Sequence, residues 1–325
     1  MNQIIEHLLK SKHIFLASHI NPDGDAVGSL IAMGLAVEAL NKDVTLYNEH
    51  SLPAVYRFLP SIDRITRHAD HLDRYDTAVI LDCGDLNRIG RLHSAVARIP
   101  VVINIDHHVT NTGFGDLKFI DTSASATAEI VYRLIHKMGI MISRSMATSI
   151  YTGILTDTGS FRFSNTSRTA FDICSEMMGL GVDPHDVAQH VYGTYSLGRI
   201  KLLNLAIDSI EISKNGKLSV MTLYQNMLDE TGTHTEDIDG FIHYAKRIED
   251  VKIAVLIHEL SGRKNKKNNR TGNRYHVSLR SDGTVDVSEI AASFGGGGHS
   301  SAAGFNVNSS IDDLKKQIFE LARTI

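Results

Sequence analysis

Four short clusters of acidic and imidazole side chains carry the chemistry of this sequence: His19-Ile20-Asn21-Pro22-Asp23-Gly24-Asp25, Asp82-Cys83-Gly84-Asp85, Asp106-His107-His108 and Asp157-Thr158-Gly159-Ser160-Phe161. The first three each follow a short apolar run, Ile14 to Ser18, Ala78 to Leu81 and Val101 to Ile105. Such runs read as buried strands, and ligands bind at the carboxyl ends of strands in open parallel sheets. Singly, each cluster has a plainer reading. Asp23 and Asp25 would serve as helix caps, adjacent histidines are more often surface residues, and Asp157 would merely end a helix, although an acid at that pole of the dipole wants a positive partner. Strand ends in one parallel sheet lie side by side, however, so their side chains must converge.

Several carboxylates with imidazoles and no thiolate make a hard-to-borderline donor set, suited to Mn²⁺ or Mg²⁺ and less to structural zinc. So many like charges repel strongly without cations between them. Two ions about 3.5 to 4 Å apart that share a carboxylate are a common solution for phosphoester hydrolysis. A fifth cluster lies far along the chain, Gly295-Gly296-Gly297-Gly298-His299-Ser300-Ser301-Ala302-Ala303-Gly304. Successive glycines leave backbone N–H groups unobstructed, and small residues after them allow a helix N-terminus to approach, which describes an anion cradle. His299 adds a donor, and Arg280 could add a charge-assisted fork. The plainer reading of this segment is a flexible linker.

The elements that must hold these residues follow from patterning. The first half alternates short apolar strands with helical stretches: Ile14 to Ser18, Ala26 to Leu40, Val44 to Tyr47, Thr77 to Leu81, Val101 to Ile105 and Ala124 to Met138. This alternation predicts a mostly parallel sheet. Helical spacing dominates from Arg144 to about Ser209, and from Lys217 the chain reads as an α+β unit, with strands at Leu218 to Leu223, Val251 to Leu260 and Tyr275 to Arg280 and a closing helix from Ile311 to Ala322. Asn215-Gly216 predicts a hairpin into Leu218 to Leu223. The expected architecture is therefore α/β: a catalytic domain over 1–190, a helical linker over 191–215, and a smaller α+β domain over 216–325, with the active site in the cleft between the two domains. Gly262 to Gly272, a Lys, Asn and Arg run, reads as an exposed hairpin loop or, alternatively, as a basic nucleic-acid contact.

The composition bounds the partners. The chain has 325 residues, enough for two cores, and 37 acidic against 33 basic side chains leave a charge of −4, so no bulk positive field holds long nucleic acid. Two cysteines exclude a disulfide framework and fit a reducing compartment. Asn2 to Lys12 lacks the pattern of a signal peptide, and no apolar run reaches the ~18 residues of a membrane span, so a cytoplasmic location without membrane contact is expected.

Taken together and in this order, the five motifs resemble those of the DHH phosphoesterases with a DHH-associated C-terminal domain, and within them the branch of bifunctional oligoribonucleases and 3′-phosphoadenosine 5′-phosphate phosphatases. The likeness covers nearly the whole chain. It implies two Mn²⁺ ions, with Mg²⁺ or Co²⁺ as substitutes: His19 and Asp23 on one, Asp25, His107 and Asp157 on the other, and Asp82 bridging. It also implies that Asp106 supports its neighbours, that His108 faces the scissile phosphate, and that Arg280, Gly297, Gly298 and His299 hold the non-scissile phosphate or terminal nucleotide. Ser300 stands where relatives often carry a basic residue, and the loop from Gly262 to Gly272 is longer and more basic than usual. The substrates implied are short RNA, linear dinucleotides and the bisphosphorylated nucleotide, with a homodimer admissible. A phosphodiesterase for cyclic dinucleotides or their linear products is the near alternative. A non-catalytic nucleotide-binding regulator would need lost ligands, and every expected ligand is present.

Overall fold

The computed structural model describes residues 1–193, 195–260 and 273–322. The chain divides into two compact units, Met1–Thr194 and Tyr195–Ile325. In the first, strands β1 (His13–Ser18), β2 (Asp43–Tyr47), β3 (Ile65–Thr66), β4 (Thr77–Leu81), β5 (Val101–Asp106) and β6 (Leu117–Ile120) form a sheet in the order β3-β2-β1-β4-β5-β6. Every pairing is parallel. The direction of winding reverses between β1 and β4, which makes that point the crevice of a doubly wound sheet. Register decides what meets there: Ser18 lies opposite Leu81, and Leu81 opposite Ile105. The residues that follow these strands therefore emerge in one line.

Both faces of the sheet are buried, as alternate side chains require. Ile14, Leu16, Val79, Leu81, Ile103 and Ile105 pack into the larger core. Phe15, Ala17, Ala78, Ile80 and Val102 pack on the other side with Tyr47 and Tyr75. The helices of this unit are α1 (Asn2–Lys10), α2 (Gly24–Ala39), α3 (His93–Val96), α4 (Thr127–Lys137), α5 (Arg144–Asp157), α6 (Arg168–Gly179) and α7 (Pro184–Ala188). Helix α2 is apolar on nearly all sides and buried along most of its length, the pattern of a central helix. It approaches α5 closely because Gly28 has no side chain: a Cβ there would fall 2.4 Å from the Ser149 carbonyl oxygen. The helix expected from Ala124 begins instead at Thr127. Ser125 is drawn out of it, its N–H and hydroxyl donating to Glu129 at 3.0 and 2.8 Å.

The second unit holds a mixed sheet of β7 (Glu211–Ile212), β8 (Leu218–Leu223), β9 (Ile253–Glu259), β10 (Asn273–Ser281), β11 (Gly297–His299) and β12 (Ala302–Ser309), ordered β11-β12-β10-β9-β8-β7. Only β8 and β9 run parallel; the other pairs are antiparallel. Its helices are α8 (Leu197–Asp208), α9 (Gln225–Thr231), α10 (Ile242–Lys246), α11 (Val287–Ser293) and α12 (Ile311–Leu321). Val255, Val277, Leu279 and Phe305 pack with Val287 and Leu314 on one face. Met221, Leu223, Ala254 and Leu256 pack with Leu202, Ala206 and Ile242 on the other.

Two differences from the sequence reading have physical causes. Leu202 and Ala206 of α8, inside the stretch read as a linker, are wholly buried in the second unit's core. The small residues after the glycines continue as strand β12 and pair with the glycine segment, where the approach of a helix N-terminus was expected. A Cβ at Gly296 would fall 2.2 Å from the Gly304 carbonyl oxygen, so the glycines serve a tight hairpin. Gly262 to Gly272 lies outside the described residues; the strands on either side of it, β9 and β10, are antiparallel neighbours. Among the described residues no helix is long and apolar enough to cross a membrane.

The close contact of α2 with α5 yields a test. Gly28→Ala must push the helices apart or strain the backbone, and overpacking of this kind costs about 1–3 kcal/mol. Thermal denaturation should show a clearly lowered Tm; an unchanged Tm would mean that the two helices are not held at this distance.

Candidate metal centre

The line of strand ends at the crevice carries the charged residues. Asp82 follows β4 in a left-handed conformation, φ 53°, which for a non-glycine residue is strained and places its carboxylate over the strand ends. It is 1% exposed. One oxygen lies 3.4 Å from His19 Nε2; the other lies 3.7 Å from His107 Nε2 and accepts the Thr127 hydroxyl at 3.0 Å. Both imidazoles are oriented from behind. His19 Nδ1 contacts the Ile20 carbonyl at 2.8 Å, and His107 Nδ1 contacts that of Ala124 at 3.3 Å, which leaves each Nε2 toward the carboxylates.

Around this axis the other acids fall into two sets. Asp23 Oδ1 is 3.9 Å from His19 Nε2, while His107 Nε2 is 4.0 Å from Asp25 and 3.6 Å from Asp157. The ligand atoms of His19, Asp23 and Asp82 all lie within 4.8 Å of one another, as do those of Asp25, His107 and Asp157. Asp82, His107 and His108 form a third such group. His108, however, has its Nδ1 2.7 Å from Asp106, and Asn111 donates to the second Asp106 oxygen at 2.6 Å. While that bond stands, the Nδ1 of His108 is not a ligand. Six expected ligands thus come together, with Asp106 and His108 beside them.

The capping reading and the ligand reading are both true of Asp23. It caps α2 by accepting from the Ala26 N–H at 3.0 Å, and it faces His19. Asp25 caps a different helix, accepting the N–H groups of Thr127 and Ala128 at 2.6 and 2.8 Å, so its charge sits at the positive pole of α4. Asp157 finds the positive partner that its place at the end of α5 called for: His107. Asp85 of the second cluster is only a cap, accepting from the Asn87 N–H at 2.8 Å. Cys83 points away, its thiol donating to the Asp85 carbonyl, and burial pushes its pKa up to about 12.

The electrostatics are those of a site that holds protons when it holds no cation. Burial raises Asp25, with Asp82 and Asp157 adding to it. Burial also pushes Asp157 up to about 7, opposed by His107 and reinforced by Asp23 and Asp82. For His107 burial works against the charge, yet Asp157, Asp82 and Asp25 carry it to about 9. Burial would raise Asp82 as well, but the bond from His19 and the charges of His108, His19 and His107 hold it well below the usual carboxylate range. Oxygen and imidazole donors with no thiolate, in two groups joined through one carboxylate, fit a pair of divalent cations.

Sequence reasoning missed the residues that position these groups. Thr127 touches both Asp25 and Asp82, and Asn165 donates to the Asp157 carboxylate at 3.1 Å. Hydroxyls and amides carry no sequence pattern of their own that could have found them.

The expected substrate residues gather in the second unit. His299 pairs with Ala302, and Ala302 with Arg280, so all three side chains share one face of the sheet. Gly298 takes φ 148°, and a Cβ there would fall 2.5 Å from the Ala302 carbonyl oxygen. Arg280 is half-buried, with Nη1 donating to the Leu279 carbonyl at 3.0 Å. Burial lowers its pKa and Asp239 opposes the shift.

A doubly wound α/β unit, with a carboxylate and imidazole centre at its crevice that could hold metal ions, is followed by a mixed-sheet unit. The sequence model of the DHH family, N-terminal domain, matches residues 13–154, and that of the DHHA1 domain matches residues 215–324. The chain belongs to the DHH family of phosphoesterases. It is 32% identical to the bifunctional oligoribonuclease and PAP phosphatase NrnA of Thermus thermophilus, over 99% of this chain and 93% of the relative. The protein of the same name from Bacillus subtilis is 25% identical over 91% and 90%. The crystal structure of an exopolyphosphatase-related protein from Bacteroides fragilis superposes with a TM-score of 0.87 at 27% identity, covering 99% of this chain and 96% of that one.

Two outcomes follow from this centre. In the metal-free protein Asp157 and His107 bind more protons folded than unfolded, so stability should fall as pH rises through about 7 and on toward about 9. Added divalent cation should abolish the fall, read as Tm in EDTA against Tm with metal; parallel curves would contradict the site. Thr127→Val keeps the N–H bond to Asp25 but removes the hydroxyl on Asp82. Calorimetric titration should show metal affinity about 10- to 100-fold weaker.

Proposed function

We propose that the chain is a Mn²⁺-dependent phosphoesterase that cleaves short oligoribonucleotides, linear dinucleotides included, to mononucleotides and removes the 3′-phosphate of 3′-phosphoadenosine 5′-phosphate. The observation that carries this reading is the convergence of His19, Asp23, Asp25, Asp82, His107 and Asp157 around one buried carboxylate. Its substrate side is supported by the 32% identity to a protein named for both activities. His19 and Asp23 would hold one cation, Asp25, His107 and Asp157 a second, and Asp82 both. Such a pair supplies Lewis-acid charge neutralisation at a phosphoryl group and acidifies water.

The chain's own residues complete the chemistry. Asp106 fixes the tautomer and direction of His108 by taking up its Nδ1, and Asn111 fixes Asp106 in turn. His108 is thereby set to hydrogen-bond a phosphate oxygen or pass a proton through its other nitrogen. In the second unit Arg280, His299 and the N–H groups of Gly297 and Gly298 would hold the terminal nucleotide or, in RNA, a non-scissile phosphate. A net charge of −4 favours a substrate gripped at single phosphates over a long strand.

The deciding assay measures kcat/KM with Mn²⁺ for RNA from 2-mers to 24-mers, for 3′-phosphoadenosine 5′-phosphate and for cyclic dinucleotides. Values should be highest for the shortest RNA and fall with length. Fastest turnover of a cyclic dinucleotide, or equal cleavage of the 24-mer, would overturn the reading. His108→Ala should lower kcat about 10²- to 10⁴-fold with metal content retained. Arg280→Ala should mainly raise KM; an unchanged KM on both short RNA and the bisphosphate would remove Arg280 from the binding site.

A further inference from the structure

The carboxyl edge of the first sheet does not end at the metal centre. Beyond β1 lie the ends of β2 and β3, where a cavity of about 470 Å³ is lined by His50, Leu52, Arg57, Ile62, Asp63 and Arg67, among others. Adjacent strands are about 4.8 Å apart, so the end of β3 stands about 10 Å from that of β1, where His19 begins. One nucleotide spans such a gap.

Hydrogen bonds tie this cavity to the metal-binding loop. Asn48, directly after β2, donates to the His19 carbonyl at 2.8 Å and accepts from the His50 N–H at 3.0 Å. The His50 ring nitrogen Nδ1 lies 2.6 Å from the side-chain oxygen of Asn21 and 3.3 Å from its N–H. Asn21 sits two residues before Asp23 in a left-handed conformation, φ 55°. The cavity wall and the metal loop are therefore one hydrogen-bonded unit.

The lining is cationic on balance. Arg57 and Arg67 are exposed, and among the described residues Arg57 has no ion-pair partner. Among the described residues the Arg67 side chain is held only by its Nε, which donates to the Glu49 carbonyl at 3.3 Å and leaves its fork available. Asp63 is the one opposing charge in the lining. Leu52 and Ile62 add apolar surface of the kind a sugar or base lies against. Two guanidinium groups over an apolar floor match a phosphate with its nucleoside attached.

We propose that the cavity at the ends of β2 and β3 is a second anion site, in which Arg57 and Arg67 take the phosphate one nucleotide away from the phosphate held at the metal centre. This rests on the nucleotide reading given above. For a 3′,5′-bisphosphorylated nucleoside that group is the 5′-phosphate; for short RNA it is the neighbouring phosphodiester or end phosphate. The site selects substrates that carry a second phosphate over those with one.

Binding is read without the chemistry by titrating the EDTA-treated chain with adenosine 5′-phosphate, inorganic phosphate and adenosine. An Arg280→Ala background removes the second unit's candidate anion site. Adenosine 5′-phosphate should bind more tightly than inorganic phosphate, and adenosine should not bind. Arg57→Ala and Arg67→Ala should each weaken the nucleotide about tenfold, with partial recovery in the lysine variants. Equal affinity in the parent and the double arginine variant, or absence of binding in the parent, would overturn the proposal. Kinetics add the selectivity: the KM for 3′-phosphoadenosine 5′-phosphate should rise in the double variant and that for adenosine 3′-phosphate should not. If the parent hydrolyses neither compound, the phosphatase reading fails while the titration still decides the cavity.

Discussion

The carboxylate of Asp82 is the constraint around which the first unit is arranged. A buried carboxylate without partners costs several kcal/mol, so its surroundings must answer it on every side. His19 faces one oxygen, His107 and Thr127 the other, and each of these is fixed by a further bond. The strained conformation of Asp82 is the local cost of turning that charge onto the strand ends. Strain of this sort persists only where the surrounding structure over-determines it, and here three adjacent parallel strands do so.

The helices serve the same end. Asp25 belongs to α2 yet closes the N-terminus of α4, so a charge that the centre requires also satisfies orphan backbone donors of another helix. The approach of α5 brings Asp157 to the same place, and it depends on absent side chains. A Cβ at Gly153 would fall 2.6 Å from that of Ala128 and 2.9 Å from Asp25 Oδ1. Glycine in a helix interior costs about 0.5–1 kcal/mol relative to alanine. It is tolerated here because the gap it leaves is occupied by the ligand sphere.

The legible part of this arrangement was the part governed by short periodicities. Apolar runs ending in Asp or His, at Ser18, Leu81 and Ile105, marked strand ends, and parallel register aligned them without further information. Strands β6 and β12 were not legible. Leu117–Ile120 is short and partly exposed, and Ala302–Ser309 alternates small and polar residues, so neither shows an apolar run. Positioning residues were hidden for another reason. Thr127, Asn111 and Asn165 reach Asp82, Asp106 and Asp157 across 45, 5 and 8 residues of sequence, and no spacing rule reports such contacts. The glycine run reads in the sequence as an anion cradle, and no pattern in it reports the hairpin that it forms with strand β12.

The two units also differ in how their charge responds to the solution. In the first unit the charge of the centre is adjustable, since Asp157 and His107 change protonation at about 7 and about 9 and cations compete for the same atoms. The face of the second sheet that carries Arg280 behaves otherwise. Burial and the nearby charge of Arg280 hold His243 down to about 4, and burial with the charge of His276 does the same for His258. Both imidazoles are therefore neutral throughout the neutral range, and Arg280 supplies a positive charge that does not vary with it. A fixed cation on a sheet face and a tunable centre at strand ends are two different ways of holding charge: the first does not vary with pH, and the second exchanges protons and cations around Asp82.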